Sequence, residues 1–325
     1  MNTRCRPFKN CMETLPNHPL IEVTSDDVTK AREFYEINDV TRIKQSLDTI
    51  YEWCNKQDHL VNALKVMDRN LLERILILSR GSVEAAKTKI DKLLTSRGMM
   101  PELALNKSVE EFELLWDYGL YVPLPKLHKV DQSRVMVTQF LSEKLDAFSL
   151  LSYFRYAFMI GEYRLHYDYC LSERYIIDLT NIHVGLVTKV NPMVVKKAEV
   201  LCTEGFGTKI KGIHLLNAPP FVDKIVFLIK QGLKEKVASR LHVHNSYADL
   251  HKHIPKEILP KDFDGDGPSL IKLAEQWKET LKTEEAKKII KDMDQLVADE
   301  SRRSSSKFNE EYLGMPGSFR KLNVD

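Results

Sequence analysis

Three acidic residues at alternate positions form an incomplete calcium-type motif. Asp262, Asp264 and Asp266 lie in the stretch DFDGDG, and carboxylate oxygens spaced in this way are ligands that Ca²⁺ prefers. A calcium loop that begins at Asp262 requires a glutamate at its twelfth position, and Leu273 stands there. The motif therefore favours a turn over a calcium site.

A histidine-rich stretch, RLHVHNSYADLHKH, offers nitrogen ligands. His242 and His244 lie on one face of a predicted strand, and His251 and His253 lie beyond a turn, where they would complete a zinc site. No cysteine or carboxylate cluster accompanies them. Histidines that are hydrogen-bonded within a strand and a loop are the favoured interpretation, so we predict no metal.

Motifs for nucleotide binding and nucleophilic catalysis are missing from the sequence. The stretch GFGTK has neither the GxxxxGK[ST] nor the GxGxxG spacing, and no GxSxG elbow occurs. We therefore predict no cofactor and no catalytic residue, and an enzyme is the class that the sequence supports least.

Three basic residues form a candidate anion site. Lys209 and Lys211 share one face of a predicted strand, and Arg240 begins the next strand. If these two strands are neighbours, the three cations converge, and a phosphate group is a suitable ligand. The alternative is a set of solvated surface cations.

Composition narrows the class of protein. The chain has 325 residues, of which 43% are hydrophobic, and a net charge of +2, which excludes a globally basic nucleic-acid-binding protein. The first 25 residues show no signal-peptide core, and no uncharged apolar run reaches the roughly 18 residues of a membrane span. The cysteines are few and contain no CxxC pair, so we expect a reducing, cytoplasmic location, with peripheral membrane association; they are Cys5, Cys11, Cys54, Cys170 and Cys202.

Periodicity predicts two kinds of architecture along the chain. Three- and four-residue spacing of apolar residues predicts a helical bundle over 25–97, after an irregular segment over 1–24. Strands and helices then alternate up to about residue 267, which implies an α/β fold with a mostly parallel sheet. A charged helix and polar tail occupy 268–325. The predicted strands are 134–140, 173–181, 211–219 and 240–245, and the predicted helices between them are 146–169, 191–206 and 221–233.

The helix predicted over 221–233 is unusually apolar. At about 100° per residue, its polar residues share one arc with Phe227, while its apolar residues form two adjoining strips. One strip contains Val222, Val226, Ile229 and Leu233, and the other contains Phe221, Ile225 and Leu228. Two functions fit this pattern: a fully buried crossover helix, or a lid that covers an apolar ligand and touches a membrane when open.

A long segment of the chain closely resembles the signature of the CRAL-TRIO family, which includes tocopherol- and retinaldehyde-binding proteins. The segment IHLLNAPPFVDKIVFLIKQGLKEKVASRLHVHNSYADLHKHIPKEILPKDFDGDG carries the resemblance, with support from RYIIDLTNIHVGLVTKVNPMVVKKA. The stretch GSFRKL near the end resembles the ending of insect members. The resemblance extends from about residue 25 onward.

The resemblance implies a helical bundle before a lipid-binding α/β domain (98–267) in which a mobile lid covers an apolar pocket. The lid would be Phe221 to about Leu233, with Phe221, Ile225 and Leu228 facing the membrane. Matching of the family's motifs places nine residues in the ligand pocket: Ser152, Tyr153, Tyr156, Leu201, Phe206, Ile213, Val222, Val226 and Ile229.

The resemblance also implies a site for phosphoinositide headgroups. Lys209, Lys211 and Arg240 match three of its basic positions, whereas Ile77 stands at a further position that is usually cationic and Arg80 is displaced from it. The departure at Ile77 counts against tight phosphoinositide recognition, since a phosphate contact needs a nearby cation.

Two functions follow for the chain. The first is an intracellular carrier that extracts, shields and delivers a small hydrophobic molecule such as a retinoid, carotenoid, tocopherol or other isoprenoid. The second is a membrane-recruited interaction protein whose pocket lipid is structural. The expected partners are a hydrophobic small molecule and an anionic membrane surface, and no nucleic acid.

Overall fold

The computed structural model describes residues 15–141 and 148–303. Several predicted features lie outside these residues: the first 14 residues with Cys5 and Cys11, the start of the helix predicted at 146, and the tail beyond residue 303 with GSFRKL.

Four capped helices occupy the region that was predicted to form an N-terminal bundle. Thr24 forms a capping box with Asp27, and Asp39, Asp68 and Ser82 each accept a hydrogen bond from a backbone N–H in the first turn of their helix. The helices are α1 (Ser25–Glu33), α2 (Val40–Asn55), α3 (Arg69–Leu78) and α4 (Val83–Met99).

The remaining helices connect or flank the strands. Within the described residues they are α5 (Pro101–Ala104), α6 (Glu113–Tyr118), α7 (Leu150–Arg164), α8 (Pro192–Val200), α9 (Val222–Gly232), α10 (Glu235–Ala238), α11 (Tyr247–His251), α12 (Leu270–Lys282) and α13 (Glu284–Met293). A π-helical turn, Leu201–Gly205, continues α8.

A five-stranded sheet forms the centre of the α/β region. Its order is β1-β2-β3-β4-β5, with β1 antiparallel to β2 and the other strands parallel, which confirms the predicted mostly parallel α/β fold. The strands are β1 (Gly119–Pro123), β2 (Ser133–Phe140), β3 (Ser172–Asp178), β4 (Ile210–Leu216) and β5 (Leu241–Val243). Strand β1 is an addition to the predicted strands, and Pro123 at its end is compatible with an edge position.

Strand order places three helices on one face of the sheet. Parallel neighbours taken in sequence are joined by right-handed crossovers, so α7, α8 and α9 lie on the same side. Helix α8 packs against both α7 and α9. The helical layer and the sheet therefore face each other across one interior, and this arrangement positions the site.

A buried ion cluster ties the bundle to the α/β region. Arg97 of α4 pairs with Glu162 of α7, and it also donates hydrogen bonds to the carbonyl oxygens of Met293 and Leu296. Lys107 binds the same Glu162 carboxylate at 3.0 Å. Because Met293 and Leu296 also complete the hydrophobic core of the bundle, the residues after α12 belong structurally to both parts of the molecule.

Candidate functional site: an apolar cavity beneath helix α9

A cavity of about 230 Å³ lies between the sheet and helices α7, α8 and α9. Its wall is predominantly apolar, as in most small-molecule sites. The lining residues are Tyr121, Thr138, Phe140, Phe148, Leu150, Tyr153, Phe154, Ala157, Phe158, Gly161, Arg164, Glu173, Tyr175, Ile177, Leu179, Ile182, Leu186, Val190, Val195, Ala198, Glu199, Cys202, Phe206, Ile210, Ile213, Leu215, Ile225, Ile229 and Leu233.

Strand alternation supplies the floor of the cavity. On β3 the side chains of Glu173, Tyr175 and Ile177 line it, as expected for residues two apart on one face of a strand. Ile213 and Leu215 of β4 continue this face. The intervening residues point to the other side of the sheet, where Ile176 is fully buried.

One end of the cavity is polar. Arg164 donates a hydrogen bond to Glu173 at 2.9 Å, and the Tyr175 hydroxyl donates to the same carboxylate. The thiol of Cys202 lies 3.8 Å from the Tyr175 oxygen. Burial raises the pKa of Cys202 to about 12, so the thiol is neutral at physiological pH. This end of the cavity can hydrogen-bond a polar group of a ligand.

A second polar contact involves the first turn of α7. The hydroxyls of Thr138 and Tyr153 are 2.7 Å apart, and burial raises the pKa of Tyr153 to about 12. Of the predicted pocket residues, Tyr153, Phe206, Ile213 and Ile229 line the cavity.

Helix α9 closes one side of the cavity. Ile225, Ile229 and Leu233 point inward, while Phe227 is 62% exposed. Asn217 precedes the helix with a left-handed backbone (φ 51°), and its amide donates to Asp178 at 2.9 Å. Two prolines, Pro219 and Pro220, follow that turn. The start of α9 is thus anchored to β3, and its outer surface carries an exposed aromatic ring.

The assignment of Ile225 to an outward, membrane-facing strip is wrong. Ile225 is 3% exposed and lines the cavity. Of the other two residues of that strip, Phe221 packs against the main core and Leu228 is half-buried. Val222 and Val226, predicted to face the ligand, are half-buried and pack against the core outside the cavity lining. The two apolar strips adjoin, so sequence alone did not define the rotation of the helix.

Helix α7 also differs from the prediction. Its lining face includes Tyr153, Ala157 and Gly161, and Ser152 lies outside that face. Tyr156 turns its ring toward Phe112 and Trp116, with centroids 5.1 and 6.2 Å away. A displacement of about 100° around a helix separates Ser152 from Tyr153, which moves a side chain from the cavity to another surface.

The prediction that Leu201 lines the ligand pocket is also wrong. It is fully buried in a small cluster with Met100, Leu103 and Phe158, outside the cavity lining. The π-helical turn that begins at Leu201 brings Cys202 and Phe206 to the cavity instead, and helical periodicity did not indicate this change.

The predicted basic residues lie around the amino ends of β4 and β5. Arg240 donates to the carbonyl oxygen of Ile210, and the Lys211 side chain is exposed. Lys209 is half-buried, donates to the Tyr35 hydroxyl and lies 4.8 Å from the centroid of that ring. This contact places Tyr35, just after the end of α1, next to the basic strand ends.

Lys89 is a basic residue that the sequence analysis missed. Its ammonium group lies so close to Gly207 that a Cβ there would be 2.5 Å away. Burial, with a contribution from Lys209, lowers the pKa of Lys89 to about 8. Lys89 belongs to α4, far from β4 in sequence, and only the packing of the bundle against the sheet reveals the association. Ile77 is buried and supplies no charge.

Four histidines cluster on the opposite face of the sheet from the cavity. His214, which was not among the predicted set, shares a hydrogen bond with His244 at 2.9 Å. The ring of His242 stacks on the His214 ring, and the ring of His253 lies tilted beside it. His251 instead contacts the carbonyl oxygen of Phe263. Within residues 15–141 and 148–303, no group of three or more potential ligands is arranged to hold a metal ion.

The acidic motif forms a turn. Asp262 accepts the backbone N–H of Leu270 at 2.9 Å, and Asp264 has a left-handed backbone with φ 54°. Gly265 and Gly267 approach the carbonyl oxygen of Leu259 so closely that a Cβ would come within 2.3 and 2.8 Å of it. The glycines therefore serve the tight turn that leads into α12.

Sequence comparison supports the expected resemblance. Residues 126–265 match the family described as CRAL/TRIO domain. The mouse (Mus musculus) alpha-tocopherol transfer protein-like is 32% identical over 96 residues, which cover 29% of this chain and 28% of that protein. Rat (Rattus norvegicus) Clavesin-1 is 33% identical over 94 residues, which cover 29% and 27%. The chain thus spans less than a third of each relative.

A solved structure titled "Crystal structure of Sfh5" overlays with a TM-score of 0.46 and 15% identity, covering 73% of this chain and 92% of the other. Within the described residues, no helix has both the length and the apolar composition needed to cross a bilayer.

The cavity, the strands beneath it and helix α9 all belong to or border the matched residues, so the chain carries a CRAL/TRIO domain over residues 126–265.

Proposed function

We propose that this protein is a carrier that binds one small hydrophobic molecule in the cavity beneath α9 and releases it at a membrane surface. The observation that supports this most strongly is the apolar cavity of about 230 Å³ between the sheet and the helical layer. An engineered apolar cavity of about 150 Å³ already holds a small hydrophobe, so this space suffices for part of a larger one.

The energetics favour binding without catalysis. Burial of about 400 Å² of ligand surface at about 25 cal/mol per Å² gives on the order of 10 kcal/mol before the costs of association are subtracted. The polar end formed by Arg164, Glu173 and Tyr175 orients the ligand, because a few placed polar groups define direction in such sites.

Helix α9 is the moving part in this proposal. It covers the cavity with Ile225 and Ile229 while exposing Phe227. Contact of Phe227 with a bilayer interface stabilises an outward position of the helix. The inner residues then become part of a continuous apolar surface between cavity and membrane, through which the ligand leaves.

An anionic membrane surface is the second partner that we propose. Lys209, Lys211 and Arg240 surround the amino ends of neighbouring strands, and Lys89 approaches from the bundle. Phosphate groups, including those of phosphoinositides, complement such a cluster. The carrier would then be a cytoplasmic protein with peripheral membrane contact.

Native mass spectrometry combined with lipid extraction tests the proposal. We expect the protein to retain one exchangeable hydrophobic molecule per chain. An empty or heterogeneous cavity together with strong liposome binding would instead support a membrane-recruited interaction protein.

A further inference from the structure

Arg74 of α3 is a buried charge that the fold does not pair. It is 5% exposed, and none of its three guanidinium nitrogens has a hydrogen-bond partner among the described residues. Its guanidinium carbon lies 5.0 Å from the centroid of the Tyr169 ring. Buried charges in proteins are normally paired and hydrogen-bonded, so this arginine requires an explanation.

Two carboxylates that line the same space as Arg74 already bind other cations. Asp168 binds Arg134 at 2.8 Å and Arg164 at 2.7 Å, and Glu173 binds Arg164 at 2.9 Å. Arg134 and Arg164 thus occupy both carboxylates, and Arg74 makes no hydrogen bond to either. The charges of Arg134 and Arg164 overcome the effect of burial and hold the pKa of Asp168 well below its usual value, so this carboxylate stays ionised and already binds two guanidinium groups.

Two further carboxylates near Arg74 are also engaged. Glu73 pairs with Arg32 at 2.7 Å and accepts a hydrogen bond from the Tyr169 hydroxyl. Asp68 accepts the backbone N–H of Leu71 and contacts His166 at 3.1 Å. Neither makes a hydrogen bond to Arg74, and the guanidinium is left to face a small chamber.

This chamber adjoins the ligand cavity. It has a volume of about 60 Å³, and Arg74, Asp168 and Tyr169 line it. Gly161, Arg164 and Glu173 line both spaces. A Cβ at Gly161 would meet nothing within 4 Å, so the chamber and cavity border each other where α7 lacks a side chain. Since one water needs about 10–15 Å³ of such volume, the chamber accommodates a group of about four heavy atoms.

We propose that Arg74 binds a carboxylate at the polar end of a hydrophobic ligand, so that the cargo is a long-chain or polyene carboxylic acid. This inference rests on the proposed carrier function. A carboxylate accepts two parallel hydrogen bonds from one guanidinium, and the Arg74 nitrogens have no other partner among the described residues. The chain of the acid lies in the apolar cavity, and its head passes Gly161 to reach the chamber.

Fluorescence titration with cis-parinaric acid and with the corresponding alcohol tests the inference. We expect the native protein to prefer the acid by about tenfold or more, because a charged hydrogen bond replaces a neutral one. In Arg74→Met this preference should fall to within about twofold, while the exposed control Arg42→Met should retain it. An acid preference that persists in Arg74→Met, or that the native protein lacks, would overturn the inference.

The two probes separate this inference from the carrier function. Alcohol binding without acid preference overturns only the role of Arg74, whereas failure of both probes to bind overturns the carrier function and this inference together. Competition with acetate is a further test. If acetate displaces the bound acid but does not displace the bound alcohol, the result supports binding of the carboxylate in the chamber. Acetate binding to a protein without acid preference would assign the chamber to free small anions.

A measurement on the unmutated protein avoids dependence on a folded variant. Palmitic acid labelled with ¹³C at its carboxyl carbon reports protonation through its chemical shift. Beside Arg74 the bound carboxyl should remain ionised at pH 5.5, since an opposite charge lowers its pKa. A protonated carboxyl at pH 6 to 7, as burial without a cation produces, would overturn the inference.

Discussion

Gly232, at the end of α9, lies so close to Pro192 that a methyl group added at position 232 would come within 2.6 Å of the Pro192 carbonyl oxygen. The same methyl group would be 2.6 Å from Cβ of Val195. This close approach joins α9 to α8 and defines the rotation of α9. Ile225 and Ile229 face the cavity for that reason.

Substitution Gly232→Ala should displace the end of α9. We expect the free energy of unfolding to fall by about 1–2 kcal/mol through overpacking, and ligand release to become faster. Chemical denaturation and stopped-flow exchange of a fluorescent hydrophobe measure the two effects. Gly119→Ala is the matched control: its Cβ would meet no atom closer than 3.7 Å and it lies outside the cavity lining, so the reduced entropy of the unfolded chain should stabilise the protein by about 0.4–1 kcal/mol. Equal effects of both substitutions would refute the role of the α8–α9 contact.

A charge on either face of α9 should have different consequences. Ile225→Asp places a carboxylate in the cavity and should weaken binding of a hydrophobic ligand by about tenfold or more. Phe227→Asp changes an exposed position and should slow transfer to vesicles with little change in ligand affinity. Binding titrations and vesicle-transfer assays on both variants provide the comparison. The reverse pattern would restore the outward assignment of Ile225.

Loss of two lysines should weaken membrane binding. Lys209→Ala with Lys211→Ala removes two cations at the strand ends, and we expect about tenfold weaker binding to anionic liposomes at low salt, with ligand affinity unaffected. Lys256→Ala with Lys261→Ala removes the same charge from exposed positions elsewhere and is the control. Sedimentation with liposomes measures binding, and equal losses in the two double variants would argue against a specific basic surface.

The lowered pKa of Lys89 should make liposome binding depend on pH. Its folded-state pKa of about 8 lies below the ordinary value of 10.5, so its charge is lost as pH rises through 8. Liposome binding should therefore weaken between pH 7 and 9, and less so in Lys89→Met. Between about pH 8 and 10.5 the unfolded chain holds the additional proton, so Lys89 makes the protein more stable as pH rises. An identical pH profile for both proteins would exclude Lys89 from the interaction.

The histidine cluster predicts loss of stability in acid. Burial, with the other histidines, lowers the pKa of His214 to about 3 from 6.5. Between these values the unfolded state binds more protons than the folded state, so stability decreases as pH falls below about 6.5. Thermal unfolding should show a smaller decrease from pH 7.5 to pH 5 for His214→Asn than for the native protein. A decrease as large in the variant would show that other groups cause the acid sensitivity.

Sequence patterns were sufficient for the layout of the fold. Alternation of apolar strands and helices predicted β2 to β5, and capping residues such as Asn191, which accepts the backbone N–H of Met193, marked helix starts. Strand β1 was missed because it has only five residues and its end residues, Gly119 and Pro123, are types that are depleted in strands and common in turns.

The details of the site depended on contacts between distant residues. The rotation of α9 follows from Gly232 and Pro192, and a lone glycine near a helix end was the available signal. The position of Arg74 depends on how α3 meets the end of α7, and that of Lys89 on how α4 meets β4. Periodicity describes one helix at a time and contains no information about packing contacts between elements that are distant in sequence. The charged Glu173 at the start of an apolar strand was a local signal for the polar end of the cavity.

The content of the cavity is the most direct test of the carrier function. Native mass spectrometry of the protein purified from its natural tissue should show a one-to-one complex with a single hydrophobic molecule, which organic extraction releases and an added hydrophobe displaces. A ligand-free mass, together with no stoichiometric uptake of any hydrophobe from vesicles, would contradict it.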